Sequence, residues 1–232
     1  MLKCILPLII IALFLCSCSD LSDLPFDHPA NNSNLSYRRS HYSDSVTVKN
    51  FPRTVGSWWM YKHIMDPGYP RRDSEIVTFN IVGKTITSEG FEKLFWLRDP
   101  GHVIDTMIFR NDTVFTQGNR LFGFDKKYIF PLTIGSRWAT TPFTEVYPQY
   151  VYYYDSSKVL SRSALTVSNK TFGNAYLIYS DSVFVPGIHG KENRWFVPQI
   201  GVVKMNMLIQ YPEGIYNESW ELLSYDVGRR SK

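Results

Sequence analysis

The sequence predicts an all-β domain, a curved antiparallel sheet of half-barrel or barrel-like form built from two related β-meanders. Three observations lead there. Aromatic residues make up 16% of the 232-residue chain, with fifteen Tyr and fifteen Phe, and aromatic and β-branched side chains suit a pleated, half-buried surface. Apolar runs are short and broken by Gly, Pro, Asn or Asp every eight to twelve residues or so, a strand-and-turn rhythm without long helical periodicity. A nine-residue segment also occurs twice.

The repeat is Phe51-Pro-Arg-Thr-Val-Gly-Ser-Trp-Trp59 and Phe130-Pro-Leu-Thr-Ile-Gly-Ser-Arg-Trp138, identical at six of nine positions, with Val55/Ile134 conservative, and 79 residues apart. A repeat of this length marks a duplicated supersecondary unit. Proline has a fixed φ and no N–H to donate, so Phe-Pro belongs at the start or edge of a strand. Gly56 and Gly135 permit a positive φ in the following turn. Trp59 and Trp138 then enter the core, where one indole buries about 150–250 Å². Phe51, Gly56, Trp59, Phe130, Gly135 and Trp138 are read as structural anchors of two repeats, about 51–129 and 130–227. A weaker reading makes the two tryptophans the walls of a ligand site.

Turn residues place the remaining strands. Strands are expected from Ser74 and from Ser157, and apolar strands from Phe91 to Leu97 and from Phe172 to Ile178. Asp99-Pro-Gly101 turns into Val103–Arg110, Asn111-Asp112 leads to Thr113-Val-Phe, and Gln117-Gly-Asn119 leads to Arg120–Phe124. Pro186-Gly187 and His189-Gly190 are expected to bracket a loop before Arg194-Trp-Phe-Val. Gly201 opens a strand to Leu208, and Pro212-Glu-Gly214 turns into Asn217–Tyr225.

Ahead of this domain stands MLKCILPLIIIALFLCSCSD. Lys3 precedes an apolar run from Ile5 to Leu15, shorter than the roughly 20 residues of a spanning helix and suited to a cleaved signal. Leu15-Cys16-Ser17-Cys18 resembles the lipobox of bacterial lipoproteins. The resemblance implies a signal peptide over 1–17 and lipidation of Cys18, with Cys16 the weaker alternative. Acyl chains hold by burying methylenes at about 0.8 kcal/mol each. Residues 18–45 are rich in Ser, Asp, Asn and Pro and read as a flexible tether, leaving 46–227 as a single β domain. Ser19 after the lipidated cysteine suits the outer membrane more than the inner. Asp20, Asp23 and Asp27 are weakly similar to the acidic tethers of surface-exported lipoproteins, or serve solvation alone.

Composition limits the chemistry. Cys4, Cys16 and Cys18 are the three cysteines, so a domain cut before Cys18 has no disulfide, free thiol nucleophile or cysteine metal site. The formal charge of +4 is too mild to imply nucleic acid. His28, His41, His63, His102 and His189 show no metal-ligand spacing, and a histidine near a turn is expected in solvent. No Gly-x-Ser-x-Gly elbow, phosphate loop or calcium loop occurs, so no catalytic residue, metal or cofactor is assigned. The run Tyr147-Pro-Gln-Tyr-Val-Tyr-Tyr-Tyr154 places Tyr150, Tyr152 and Tyr154 on one face of a strand, which makes them the candidate ligand face, against an amphipathic edge strand as the plain alternative.

Phe51–Trp59, Trp195–Lys204 (Trp-Phe-x-Pro-x-x-Gly-Val-Val-Lys) and Glu221-Leu222-Leu223 together resemble a group of envelope lipoproteins from Bacteroides-like and related bacteria with Phe-Pro-Leu-x-x-Gly-x-x-Trp segments. The resemblance covers most of residues 50–225, and its motifs are structural. It implies a curved antiparallel sheet broadly like that of carriers that shelter acyl chains in an open half-barrel, though no segment supplies their plugging helix. The expected role is a membrane-anchored, non-enzymatic binding or structural module, with the membrane as partner through the lipid. The alternatives are a carrier or sensor of an apolar ligand in the sheet concavity, and a hydrolase acting on envelope polysaccharide.

Overall fold

The computed structural model describes residues 46–66, 73–117, 124–140, 154–185 and 188–228. Twelve antiparallel strands form one sheet. In chain order they are β1 (Trp58–Asp66), β2 (Asp73–Ile86), β3 (Glu92–Asp99), β4 (Val103–Arg110), β5 (Thr113–Gln117) and β6 (Phe124–Ile129). The second six are β7 (Arg137–Ala139), β8 (Tyr154–Val167), β9 (Lys170–Val185), β10 (Ile188–Val197), β11 (Gly201–Tyr211) and β12 (Gly214–Asp226). A single 3-10 turn, Val48–Asn50, is the helical element among the described residues.

The strand order is β6-β5-β4-β3-β2-β1-β12-β11-β10-β9-β8-β7. Each half is an uninterrupted six-stranded meander, and the halves join where β1 pairs with β12. The sheet curls until its edge strands meet at a seam and the barrel is nearly closed. There the Lys126 amide donates to the Thr140 carbonyl at 2.6 Å and the Trp138 indole donates to the Lys126 carbonyl at 3.1 Å.

The sequence repeat is also a hydrogen-bonding repeat. The Gly56 amide donates to Ile81, whose own amide donates back to the Ser57 carbonyl; Gly135 and Ser136 make the same pair with Val159. Gly56 at φ 88° and Gly135 at φ 91° form the turns that set this up, a conformation that only glycine adopts without strain. Phe51 and Phe130 converge on one ring, that of Phe196, with centroids 5.7 and 6.1 Å away. Phe51 also packs on Phe109 and Tyr128 at 5.3 and 5.5 Å.

Alternation fills the interior. On β1, Trp59, Tyr61 and His63 are buried while Lys62 between them is exposed, the period-two signature of a strand with one wet face. Across the sheet this face continues through Val77, Ile81, Leu94, Val159, Ile178, Phe196, Val203 and Leu222, all essentially inaccessible. Each such side chain contributes about 1.5–3 kcal/mol by burial.

Several strands run longer than the turn rhythm predicts. β2, β8 and β9 have 14, 14 and 16 residues. Gly83 lies within β2 and Gly173-Asn174 within β9 rather than ending them, because bulges absorb the interruptions: the register shifts at Ile81/Gly83, Val159/Ser161 and Ser163/Leu165. Bulges also increase the local bend that a closing sheet requires. His189-Gly190 belongs to β10 and pairs with Gln210-Ile209, which corrects the expected loop. A glycine in a strand is tolerated when both neighbours supply the ladder, as β9 and β11 do here.

Candidate functional site

The interior combines an aromatic cavity with two buried charge clusters. The cavity measures about 310 Å³ and includes Phe51, Trp59, Tyr61, Phe79, Trp96, Tyr128 and Trp220 in its wall. Trp59 and Trp96 stack at 4.7 Å with planes 18° apart. The Trp59 indole donates to the Ile200 carbonyl at 2.6 Å and the Tyr61 hydroxyl to the Val202 carbonyl at 2.7 Å. Burial, reinforced by the nearby Tyr128, raises the Tyr61 hydroxyl far above the ordinary tyrosine range, so it stays a donor. The Trp96 indole nitrogen is buried and has no hydrogen-bond partner.

Register builds the first cluster. His63 on β1 faces Glu75 on β2 and Trp220 on β12. Its Nδ1 lies 2.9 Å from Glu75 Oε1 and its Nε2 lies 2.7 Å from Glu218 Oε1. The Trp220 indole donates to that same Glu218 oxygen at 2.6 Å. His63 bridges the two carboxylates, one at each ring nitrogen. His63 is 5% exposed, which corrects the expectation of a solvated histidine. The alternation Trp59-x-Tyr61-x-His63 already puts it on the inner face; proximity to a turn is the weaker signal.

The second cluster lies on β10. Arg194, 1% exposed, places Nε 2.5 Å from Glu192 Oε1 and donates from Nη2 to Ser180 Oγ at 2.8 Å. Ser180 in turn meets Ser157 Oγ at 2.7 Å, following the register Glu192–Ser180–Ser157 across β10, β9 and β8. Lys127 Nζ approaches the other Glu192 oxygen at 3.4 Å. The guanidinium also lies 5.2 Å from the Tyr128 ring centre. Burial pushes the Glu192 carboxyl up, but the Arg194 and Lys127 charges outweigh it and hold it below the usual glutamate value. Tyr128 is raised by burial, with Arg194 pulling the other way.

Of the residues singled out from sequence, Phe51, Trp59, Phe130 and Trp138 are buried at 5%, 2%, 3% and 6% exposure. Phe51 and Trp59 line the cavity; Trp138 sits at the seam. Tyr150, Tyr152 and Cys18 lie outside the described residues, as do the signal and tether, and Tyr154 is the first residue of β8. Sequence reading passed over Trp96, Glu75, Glu218, Trp220, Glu192 and Arg194 as site residues, because only the register across β12-β1-β2 and β10-β9-β8 brings them together.

Both nitrogens of His63 are engaged by carboxylates. Among the described residues no group of three or more His, Cys, Asp or Glu is disposed to hold a metal ion.

No protein-family profile matches this chain, and no curated protein matches it in sequence. Two solved structures are similar to it. A chain from Parabacteroides distasonis assigned as a lipoprotein is 11% identical, with a TM-score of 0.40 over 79% of this chain and 100% of that one. A LolA superfamily protein from Nitrosomonas europaea is 6% identical, with a TM-score of 0.24 over 81% of this chain and 96% of that one.

Proposed function

We propose that the protein is a lipid-anchored binding module of the bacterial envelope, and that its barrel interior receives the apolar part of an amphiphilic small molecule. One observation carries the ligand reading. A concavity of about 310 Å³, partly open to solvent, enters this core and is lined largely by aromatic side chains. That volume falls at the lower end of small-molecule sites, about 300–1,000 Å³, which are apolar with a few placed polar groups. Here those groups are the Trp96 indole N–H, which lacks an acceptor, together with Lys127 and Arg194; the acidic Asp105 in the wall is exposed. A ligand that brings an acceptor, a carboxylate above all, completes the set. The class that fits is a medium-chain fatty acid or a similar apolar acid.

The test is titration of the purified protein with decanoate, followed by tryptophan fluorescence, with native mass spectrometry for co-purifying lipid. Saturable quenching that is lost in Trp96→Ala supports the reading. No spectral change, combined with no bound mass, overturns it. Anchoring rests on Leu15-Cys16-Ser17-Cys18, and Ser19 favours the outer membrane. Cys18→Ala is expected to leave the chain unlipidated and uncut; a mutant that matures to the same mass in the membrane fraction sinks that part.

A further inference from the structure

A second concavity lies on the outer face of the sheet. It measures about 460 Å³ and crosses β9 to β12 and the end of β1. Register defines its floor. Tyr179, Asn193, Asn206 and Ser219 are successive cross-strand partners on β9, β10, β11 and β12. Each is adjacent in sequence to a residue of an inward row, which includes Ile178, Arg194, Met205 and Trp220, so the row itself faces outward. Leu208 and Asn217 pair with each other in the neighbouring outward row.

The amides of this floor are unused. The side chains of Asn193, Asn206 and Asn217 make no hydrogen bond or ion pair, although Asn193 and Asn206 stand directly opposite each other and are half-buried. Other outward polar partners do bond across the strands. Lys204 reaches Glu221 at 3.0 Å, Thr166 meets Thr171 at 3.0 Å, and Arg162 donates to Asn174 at 3.0 Å. The row of Tyr179, Asn193, Asn206 and Ser219 is neutral and has spare hydrogen-bonding capacity, while Asp66, Lys191 and Glu218 complete the lining with charges of both signs.

We propose that this groove binds a neutral, linear oligosaccharide laid across the strands. Each amide offers two donors and an acceptor, the complement of neighbouring sugar hydroxyls, which both donate and accept. Strands about 4.8 Å apart present these amides at a spacing close to one sugar ring. Tyr179 closes one end of the row. Its ring offers an apolar platform with a polar tip, close to the Asp181 carboxylate. A peptide adding as a strand has no place here, because the groove lies on the face of the sheet, where both backbone edges of β10, β11 and β12 are already paired.

Isothermal titration of the detergent-solubilised full-length protein with maltohexaose, cellohexaose and laminarihexaose tests the proposal. At least one hexasaccharide should bind saturably. Asn193→Ala/Asn206→Ala should weaken it by about tenfold or more, the loss of two hydrogen bonds, with an unchanged melting temperature. Should that double variant fold poorly, Asn206→Asp keeps the side-chain size, removes the amide donors, and should weaken binding in the same direction. Trp96→Ala, which alters only the interior cavity, should bind the glycan normally. No saturable binding of any of the three sugars, or undiminished binding by the folded groove variants, overturns the proposal.

Discussion

His63 and Trp220 lie face to face on adjacent strands, ring centroids 3.7 Å apart and planes 15° apart, and both meet one oxygen of Glu218, to which the indole donates. The stack turns three buried polar side chains into a unit in which each needs the others.

Removing the middle of that unit should be costly. His63→Ala leaves Glu218, whose side chain is 12% exposed, without its imidazole partner, and leaves Glu75 to solvent at 37%. A loss of about 2–3 kcal/mol is expected in urea unfolding, below the fully buried case because Glu75 is screened. Glu75→Gln should cost less than about 1 kcal/mol. Equal effects at the two positions would mean that burial of the trio does not govern its strength.

The repeated tryptophans should differ in kind though not in size. Trp59→Ala and Trp138→Ala are each expected to cost about 3–5 kcal/mol, the usual range for large core aromatics. Trp138→Phe should additionally speed amide exchange at Lys126, because the ring that closes the seam loses its donor; Trp59→Phe should not. Exchange at Lys126 that ignores Trp138→Phe would show the seam held by the Lys126–Thr140 bond alone.

Glu192 should make the protein acid-sensitive. Its carboxyl is held below the ordinary value of 4.5 in the folded state, so folding favours its ionised form. The resulting stability is fully present above about pH 4.5 and is lost as pH falls through the depressed folded value. Glu192→Gln should flatten the acid limb of a stability–pH profile at fixed ionic strength. An unchanged acid limb would assign that loss to other carboxylates.

The burial of Phe51, Trp59, Phe130 and Trp138 and the turns at Gly56 and Gly135 were legible for a local reason. Phe-Pro, the Gly-Ser turn and the following Trp are contiguous, so their roles follow from backbone chemistry within nine residues, twice. Turns at Asp99-Pro-Gly101 and Asn111-Asp112 were legible in the same way and fall between β3 and β4 and between β4 and β5. His189-Gly190 misled because a glycine signals a turn only when no neighbouring strand claims its backbone, and β9 and β11 both do. His63 misled because its nearest landmark in sequence was a turn, while its partners lie 12 and 155 residues away.

The sequence alone determined the all-β class, the duplication into two meanders and the inward alternation of each strand, because pleat periodicity, turn chemistry and a repeated motif are all local properties of the chain. Only the tertiary structure decided that the curved sheet nearly closes, that β1 joins β12, and that Glu75, His63, Glu218 and Trp220 form one unit while Lys127, Glu192 and Arg194 form another. The reason is register. A slip of one residue would turn every side chain of a strand to the opposite face, and the bulges that set the pairing depend on strands far apart in the chain.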